Sequence, residues 1–148
     1  MPSLLTHLAA AALAQASMPI AAAGLDAGLT EFRWQSRPII VFADGAEDPR
    51  LIEQLDHFEG AAAALTDRDT IVLLDTTPAE MTPLRRRFAP DGFTVILVGK
   101  DGGEKLRRDR VVNIEEISAL IDTMPMRRNE MRRANGDTGT AHGGAGTE

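Results

Sequence analysis

Four carboxylates stand where buried strands give way to loops, and acid/base or metal chemistry uses such groups. Asp44, Glu47 and Asp48 follow the apolar run Pro38-Ile39-Ile40-Val41-Phe42-Ala43, and Asp75 follows Thr70-Ile71-Val72-Leu73-Leu74. Crowded carboxylates repel, which raises the pKa of one of them, and carboxylate oxygens suit hard divalent cations. The same residues also suit turns and helix caps, Asp48-Pro49 above all. No histidine or third carboxylate of obvious spacing joins Asp44 and Asp75. The edge is therefore a candidate site with a structural reading beside it.

Other chemistry is easier to exclude. The 148 residues contain no cysteine, which removes disulfides, thiolate metal sites and any thiol redox cycle. Lys100-Asp101-Gly102-Gly103 has neither the spaced carboxylates of a calcium loop nor the Gly-Lys-Ser/Thr of a phosphate loop. His57 falls on the solvated side of a helix, and His142 stands alone in a polar tail. No metal set and no cofactor is expected. A net charge of −6 and a pI near 5.1 argue against nucleic acid as the partner. Two basic runs stand out on this acidic chain. Arg85-Arg86-Arg87 is one; the other is 124–133, where Arg127, Arg128, Arg132 and Arg133 face only Glu130, a net +3. Such runs suit a solvated helix face, and they also suit a docking patch for an anionic partner.

The elements that must position these groups follow from periodicity. The unbroken apolar run at 38–43 is a strand buried on both faces. Leu51, Leu55, Phe58, Ala62 and Leu65, widened by Ile52, recur at helical spacing until Thr66-Asp67-Arg68-Asp69 breaks the helix, and 70–75 returns as a second strand. Strand, helix and strand at this length make a right-handed crossover and a parallel pair, placing Asp44 and Asp75 at one edge. Thr77-Pro78 and Thr82-Pro83 compete to start a short helix ending near Phe88, with Leu84 and Phe88 buried and the three arginines mostly solvated. Phe93 to Gly99 is a third strand, Lys100 to Gly103 a hairpin turn, and Glu104 to Val112 a polar antiparallel strand near the sheet edge. Asn113-Ile114-Glu115-Glu116 caps a last helix with its stripe at Ile114, Ile117, Leu120, Ile121 and Met124. Leu29, Phe32 and Trp34, the sole tryptophan, are expected to pack on the rim of the core.

The ends read differently. Residues 1–24 carry no charged side chain, and Leu4 to Ala16 is mostly Leu and Ala. That is the pattern of an export signal over 1–23, with small-residue cleavage sites after Ala16 and after Ala23; the alternative is an Ala-rich amphipathic or disordered N-terminus. The run is too short and broken to be a permanent membrane span. Residues 134–148 read as a disordered tail. One domain over 32–131 remains, of periplasmic or secreted location, or cytoplasmic if the signal reading fails.

The order of elements, with Phe-Thr-Val-Ile-Leu-Val-Gly-Lys-Asp-Gly-Gly as the hairpin, is similar to the thioredoxin-like fold of thioredoxins and peroxiredoxins. It implies an α/β domain whose central mixed four-stranded sheet is flanked by helices. More specifically, Phe32-Arg33-Trp34 with Arg37-Pro38, Asp48-Pro49-Arg50-Leu51, Arg68-Asp69, Gly92-Phe93-Thr94, Gly99 to Gly103 and Met124 to Met131 resemble a family known as a "domain of unknown function". That family includes small secreted bacterial proteins, and related domains occur in vertebrate sushi-repeat-containing and coiled-coil-domain-containing matrix proteins. Where thioredoxins carry Cys-x-x-Cys this chain has Asp44 to Arg50, and where the cis-proline stands it has Gly92 or Phe93. No catalytic residue carries over. The expected function is a monomeric, non-redox, non-catalytic module that binds a protein partner through Arg85, Arg86, Arg87, Arg127, Arg128, Arg132 and Arg133. The alternative is a cryptic enzyme using Asp44, Glu47, Asp48 and Asp75.

Overall fold

The structure, a computed structural model, describes residues 20–136. Ten regular elements follow in chain order among the described residues, beside short 3-10 turns at Thr30–Phe32 and Pro78–Glu80: β1 (Ile20–Ala21), β2 (Arg37–Phe42), α1 (Pro49–Gly60), α2 (Ala62–Asp67), β3 (Thr70–Asp75), α3 (Pro83–Phe88), β4 (Thr94–Val98), β5 (Glu104–Arg108), α4 (Ile114–Asp122) and α5 (Pro125–Ala134). The sheet runs β1-β3-β2-β4-β5. β2 pairs parallel with β3, Ile39 opposite Val72, and antiparallel with β4, Ile39 opposite Leu97. This is the expected thioredoxin-like arrangement of a βαβ unit followed by a helix, a hairpin and a helix.

β2 is central because, past Arg37, it is apolar on both sides. Ile39, Val41 and Ala43 join Leu51, Phe58, Ile117 and Ile121 in one core layer, under α1, α2 and α4. Ile40 and Phe42 join Leu29, Leu73, Leu84 and Phe88 in the other, under α3 and the lead-in. Alternate side chains of a strand point to opposite faces, so one apolar run feeds two cores.

Five details depart from the sequence reading. A fifth strand exists: β1 pairs parallel with β3, Ile20 opposite Leu73, and the N–H of buried Ala22 donates to the Leu74 carbonyl at 2.7 Å. These residues fall within the expected 1–23 leader, whose first nineteen lie outside the described residues, as do 137–148 of the tail. The long helix is two, α1 and α2, broken at Ala61 where φ is −122°. The decapeptide after Met124 is α5, a tenth element that no apolar stripe announces. Trp34 is not packed: its backbone takes φ 65°, its N–H donates to the Lys100 carbonyl at 2.7 Å, and the side chain stays 63% exposed.

Gln54 is the fifth. It lies fully buried on the inner face of α1, where its amide accepts from the Val112 N–H at 2.7 Å and donates to the Val112 carbonyl at 3.0 Å. It therefore tethers α1 to the segment before α4. Gln54→Leu strands a buried N–H and is expected to cost about 1–3 kcal/mol in urea unfolding, whereas exposed Glu53→Leu should stay within about 0.5 kcal/mol. Equal midpoints for the two variants would refute the tether.

Candidate functional site

The carboxylate edge lies where the sequence places it, at the ends of β2 and β3, but its members are not gathered for chemistry. Asp75 is 3% exposed. Its Oδ1 accepts from Arg85 Nε at 2.9 Å and from the Thr77 N–H at 3.2 Å, while its Oδ2 accepts from the Thr82 hydroxyl at 2.6 Å. Arg85 Nη2 also donates to the carbonyls of Ala43 and Asp75, and its guanidinium stands 5.3 Å from the centre of the Phe42 ring. Thr82 in turn caps α3 by accepting from the Arg85 N–H. The cluster ties α3 to the ends of both strands. Arg85 was expected on the solvated face; it is buried, because Asp75 needs a cation once it leaves water.

Asp48 caps α1, accepting from the Arg50 N–H at 2.9 Å. The bond from the Arg50 side chain holds its carboxyl below the usual range. Asp44 and Glu47 are exposed. Among the described residues no group of three or more histidines, cysteines or carboxylates is placed to hold a metal.

The opposite end of the sheet holds the larger constellation, and sequence reasoning missed it. Arg37, at the start of β2 and 1% exposed, donates through Nη1 and Nη2 to both oxygens of Glu130 at 3.2 and 3.1 Å, and through Nη1 to the Arg68 carbonyl at 2.8 Å. Lys100 Nζ donates to Glu130 at 2.6 Å and to Asp69 at 2.7 Å. Arg127 donates to Asp67 at 2.6 Å and to Asp122 at 3.2 Å, and Arg68 to Asp122 at 2.9 Å. Four cations thus meet four carboxylates across the ends of β2, α2, β4 and α4, with α5 laid over them. Arg127 was expected on the partner surface; it is 6% exposed and faces inward. Arg86, Arg87, Arg128, Arg132 and Arg133 are exposed, as expected. The one signal that could have found the network is the lone Glu130 among four arginines, with Arg68-Asp69 and Lys100 flanking strand ends.

Burial pushes the Glu130 carboxyl up, but bonds from Arg37 and Lys100 outweigh this and hold it below its ordinary value. The bond from Arg68 does the same for Asp122, against its burial.

A small cleft opens beside this network, between the Gly99-Lys100-Asp101 turn and the start of α5. Its volume is about 90 Å³, and Arg37, Lys100, Lys105, Met124, Pro125 and Met126 line it with Gly99 and Asp101. Trp34 hangs on the Lys100 carbonyl at the same turn, and Arg33 lies over Gly102, where a Cβ would stand 2.8 Å from Arg33 Nε. Arg87 Nη2 donates to the Gly102 carbonyl at 2.7 Å.

Two expectations test this geometry. Arg85→Met leaves Asp75 buried without its cation and should cost about 3–5 kcal/mol, against about 0.5 kcal/mol or less for exposed Arg86→Met; similar losses would show that the pair is not structural. A carboxyl whose pKa is lower folded than unfolded adds stability that is present above its unfolded value and lost as pH falls through the folded one. Stability measured by denaturant titration should therefore decline as pH drops below about 4.5, the ordinary Glu130 value. Glu130→Gln should flatten that decline, and an unchanged slope would remove Glu130 from the ion network.

No curated protein matches the chain. Among solved structures it is similar to a Plasmodium yoelii thioredoxin peroxidase I, at 14% identity and a TM-score of 0.48, over 76% of this chain and 83% of that one. It is similar at the same identity and score to Plasmodium yoelii Prx1a modified at the N-terminus, described as an artifactual octamer, over 76% of this chain and 84% of that one. Residues 28–130, most of the chain and nearly all of the described fold, match the profile of the family described as Domain of unknown function (DUF4174), and the protein belongs to that family.

Proposed function

We propose that the domain is an exported, non-catalytic module that binds another protein through the face around Trp34. The observation that carries this reading is Trp34 itself: a bulky aromatic in a left-handed backbone conformation, uncommon for such a residue, held there by the Lys100 carbonyl with 63% of its surface in water. Strain that keeps an aromatic out of the core finds its use in a contact made by that side chain. Exposed Arg33, Arg87 and Lys105 lie at the same turn, and Met126, 36% exposed, lies across the cleft. Tryptophan and arginine are the residues that dominate protein contacts. The carboxylate-edge alternative loses Asp75 to Arg85 and Asp48 to helix capping, so no observation favours it.

If the chain is exported, β1 bears on where the leader ends. Cleavage after Ala16 leaves Ile20–Ala21 and Ala22 to pair with β3; cleavage after Ala23 removes them, with the buried Ala22 side chain and its bond to Leu74. The expected mature N-terminus is Ser17. N-terminal sequencing of the protein recovered from its native host checks this: Ser17 supports export with β1 retained, Gly24 overturns the β1 argument, and an intact Met1 overturns export.

The binding face is tested by a photo-crosslinking amino acid placed at Trp34, Met126 or Glu47 in living cells. Discrete adducts from Trp34 and Met126 with none from Glu47 are expected. Adducts from Glu47 alone, or from no position, would overturn the reading.

A further inference from the structure

Charge, and not apolar packing, holds α5 to the fold. Met124, just before it, packs against the core under α1 and α4, but no side chain from Pro125 to Ala134 belongs to either apolar core or packs on one, and Arg127 is the helix's one buried residue. Its side-chain bonds to other elements run through two residues alone. Arg127 donates to the carboxylate and carbonyl of Asp67 and to Asp122, and Glu130 accepts from Arg37 and Lys100. The charged groups around that face are therefore Arg37 from β2, Asp67 from α2, Arg68 and Asp69 behind it, Lys100 from the hairpin turn and Asp122 from α4. Segments with few buried apolar contacts are the ones that open ahead of the rest of a fold.

Two further features ease such an opening. Arg37 Nε is buried without a hydrogen-bond partner while the helix is docked. A stranded N–H is unfavourable, and water can satisfy it once Glu130 leaves the guanidinium. The helix also cannot hold itself. Its 10 residues fall short of the ~12–15 at which an isolated helix becomes marginally stable in water. No side chain caps its start, and Arg128 and Arg132 repel each other one turn apart. Released, the segment unwinds, with Thr123 and Met124 between α4 and Pro125 as its hinge.

We propose that α5 opens and unwinds as a unit while the sheet and the other helices stay folded, and that the Trp34 contact face is complete only while α5 is docked. Met126 belongs to that face and rides on the helix. Lys100 bonds Glu130 through its ammonium and holds the Trp34 N–H through its carbonyl, so release loosens the residue that keeps Trp34 outward. A partner that needs Trp34 and Met126 together selects the docked state; this regulatory half rests on the protein-binding reading above. Acid favours release. Burial raises the Glu130 carboxyl, and the bonds from Arg37 and Lys100 more than reverse this, so Glu130 titrates lower docked than released. Its share of docking is full above about 4.5 and is lost as pH falls through the docked value. Asp122 keeps its bond from Arg68 on release and changes less.

The test is amide hydrogen exchange of the full chain, read by NMR as protection factors across a urea series. The amides of 129–134 should share one opening, at least about tenfold less protected than the amides of β2 and β4 and with a weaker urea dependence, since little surface is exposed. Glu130→Gln should lower the protection of 129–134 by about tenfold, and that of the Trp34 amide by the same factor, because its acceptor is the Lys100 carbonyl. In the parent the same amides should lose protection from about pH 7 to about pH 4, which reports the release even if the variant does not fold. Amides of α5 that exchange only with β2 and β4, at equal protection and equal urea dependence, would overturn the opening. A Trp34 amide that Glu130→Gln leaves unmoved would overturn the link to the contact face. No partner takes part in the exchange, so the result stands apart from the crosslinking: crosslinks from Trp34 in a chain whose α5 opens only with the core would sink this inference and leave the binding face standing.

Discussion

The structure depends on removing one arginine from water. Arg37 begins the central strand and is all but fully buried, and an isolated guanidinium there would be prohibitive without an anion. The anion comes from Glu130, 93 residues further along the chain. That requirement brings the last helix back to the base of the first long strand. Lys100 and Asp69 extend the arrangement to β4 and to the loop before β3, while Arg127, Asp67, Arg68 and Asp122 tie the same helix to α2 and α4. An ion network of this kind adds little net stability over an apolar core of equal volume. What it does supply is a geometric condition: α5 docks in the one position where four cations and four carboxylates are paired.

The two ends of the sheet follow the same rule. At the ends of β2 and β3, Asp75 and Arg85 form a smaller version, reinforced by Thr82 and the Ala43 carbonyl. Groups that looked available for catalysis are fixed by partners whose loss would strand a buried charge. A general acid must exchange a proton and a metal ligand needs a free lone pair, whereas the two oxygens of Asp75 accept three bonds that hold the fold. The exposed side chains at the other end, Trp34, Arg33 and Met126, hold no buried charge in place.

How much of this was legible follows from where the information lies. β2 could be read because five apolar residues in a row, three of them β-branched, leave a strand with two buried faces as the economical solution. α4 could be read because Ile117 and Ile121 sit one turn apart behind an Asn113 cap that the structure retains. α5 could not, because its inward face is Arg127, Glu130 and half-buried Met131, which looks like a solvated face until the opposing charges are known. Arg85 and Gln54 fail for the same reason: periodicity reports which positions are apolar, and a buried polar residue is recognisable only with its partner, here 10 and 58 residues away. Trp34 was read as packing because aromatics beside strands pack, and one backbone bond to Lys100 overrides that tendency.

The Gly99–Gly103 turn is where the ion network meets the proposed contact face. Lys100 uses its ammonium for the ion network and its carbonyl to hold Trp34 outward. Gly102 takes a left-handed φ, accepts from Arg87 and makes room for Arg33; Gly99 makes room for Lys105. A change in how α5 sits would act first on Lys100, through Glu130, and from there on the carbonyl that positions Trp34. The network that fixes the helix therefore also fixes the exposed aromatic and both walls of the cleft. So short a turn is held by the core rather than by its own loop, so the proposed contact face would not have to be ordered when a partner arrives.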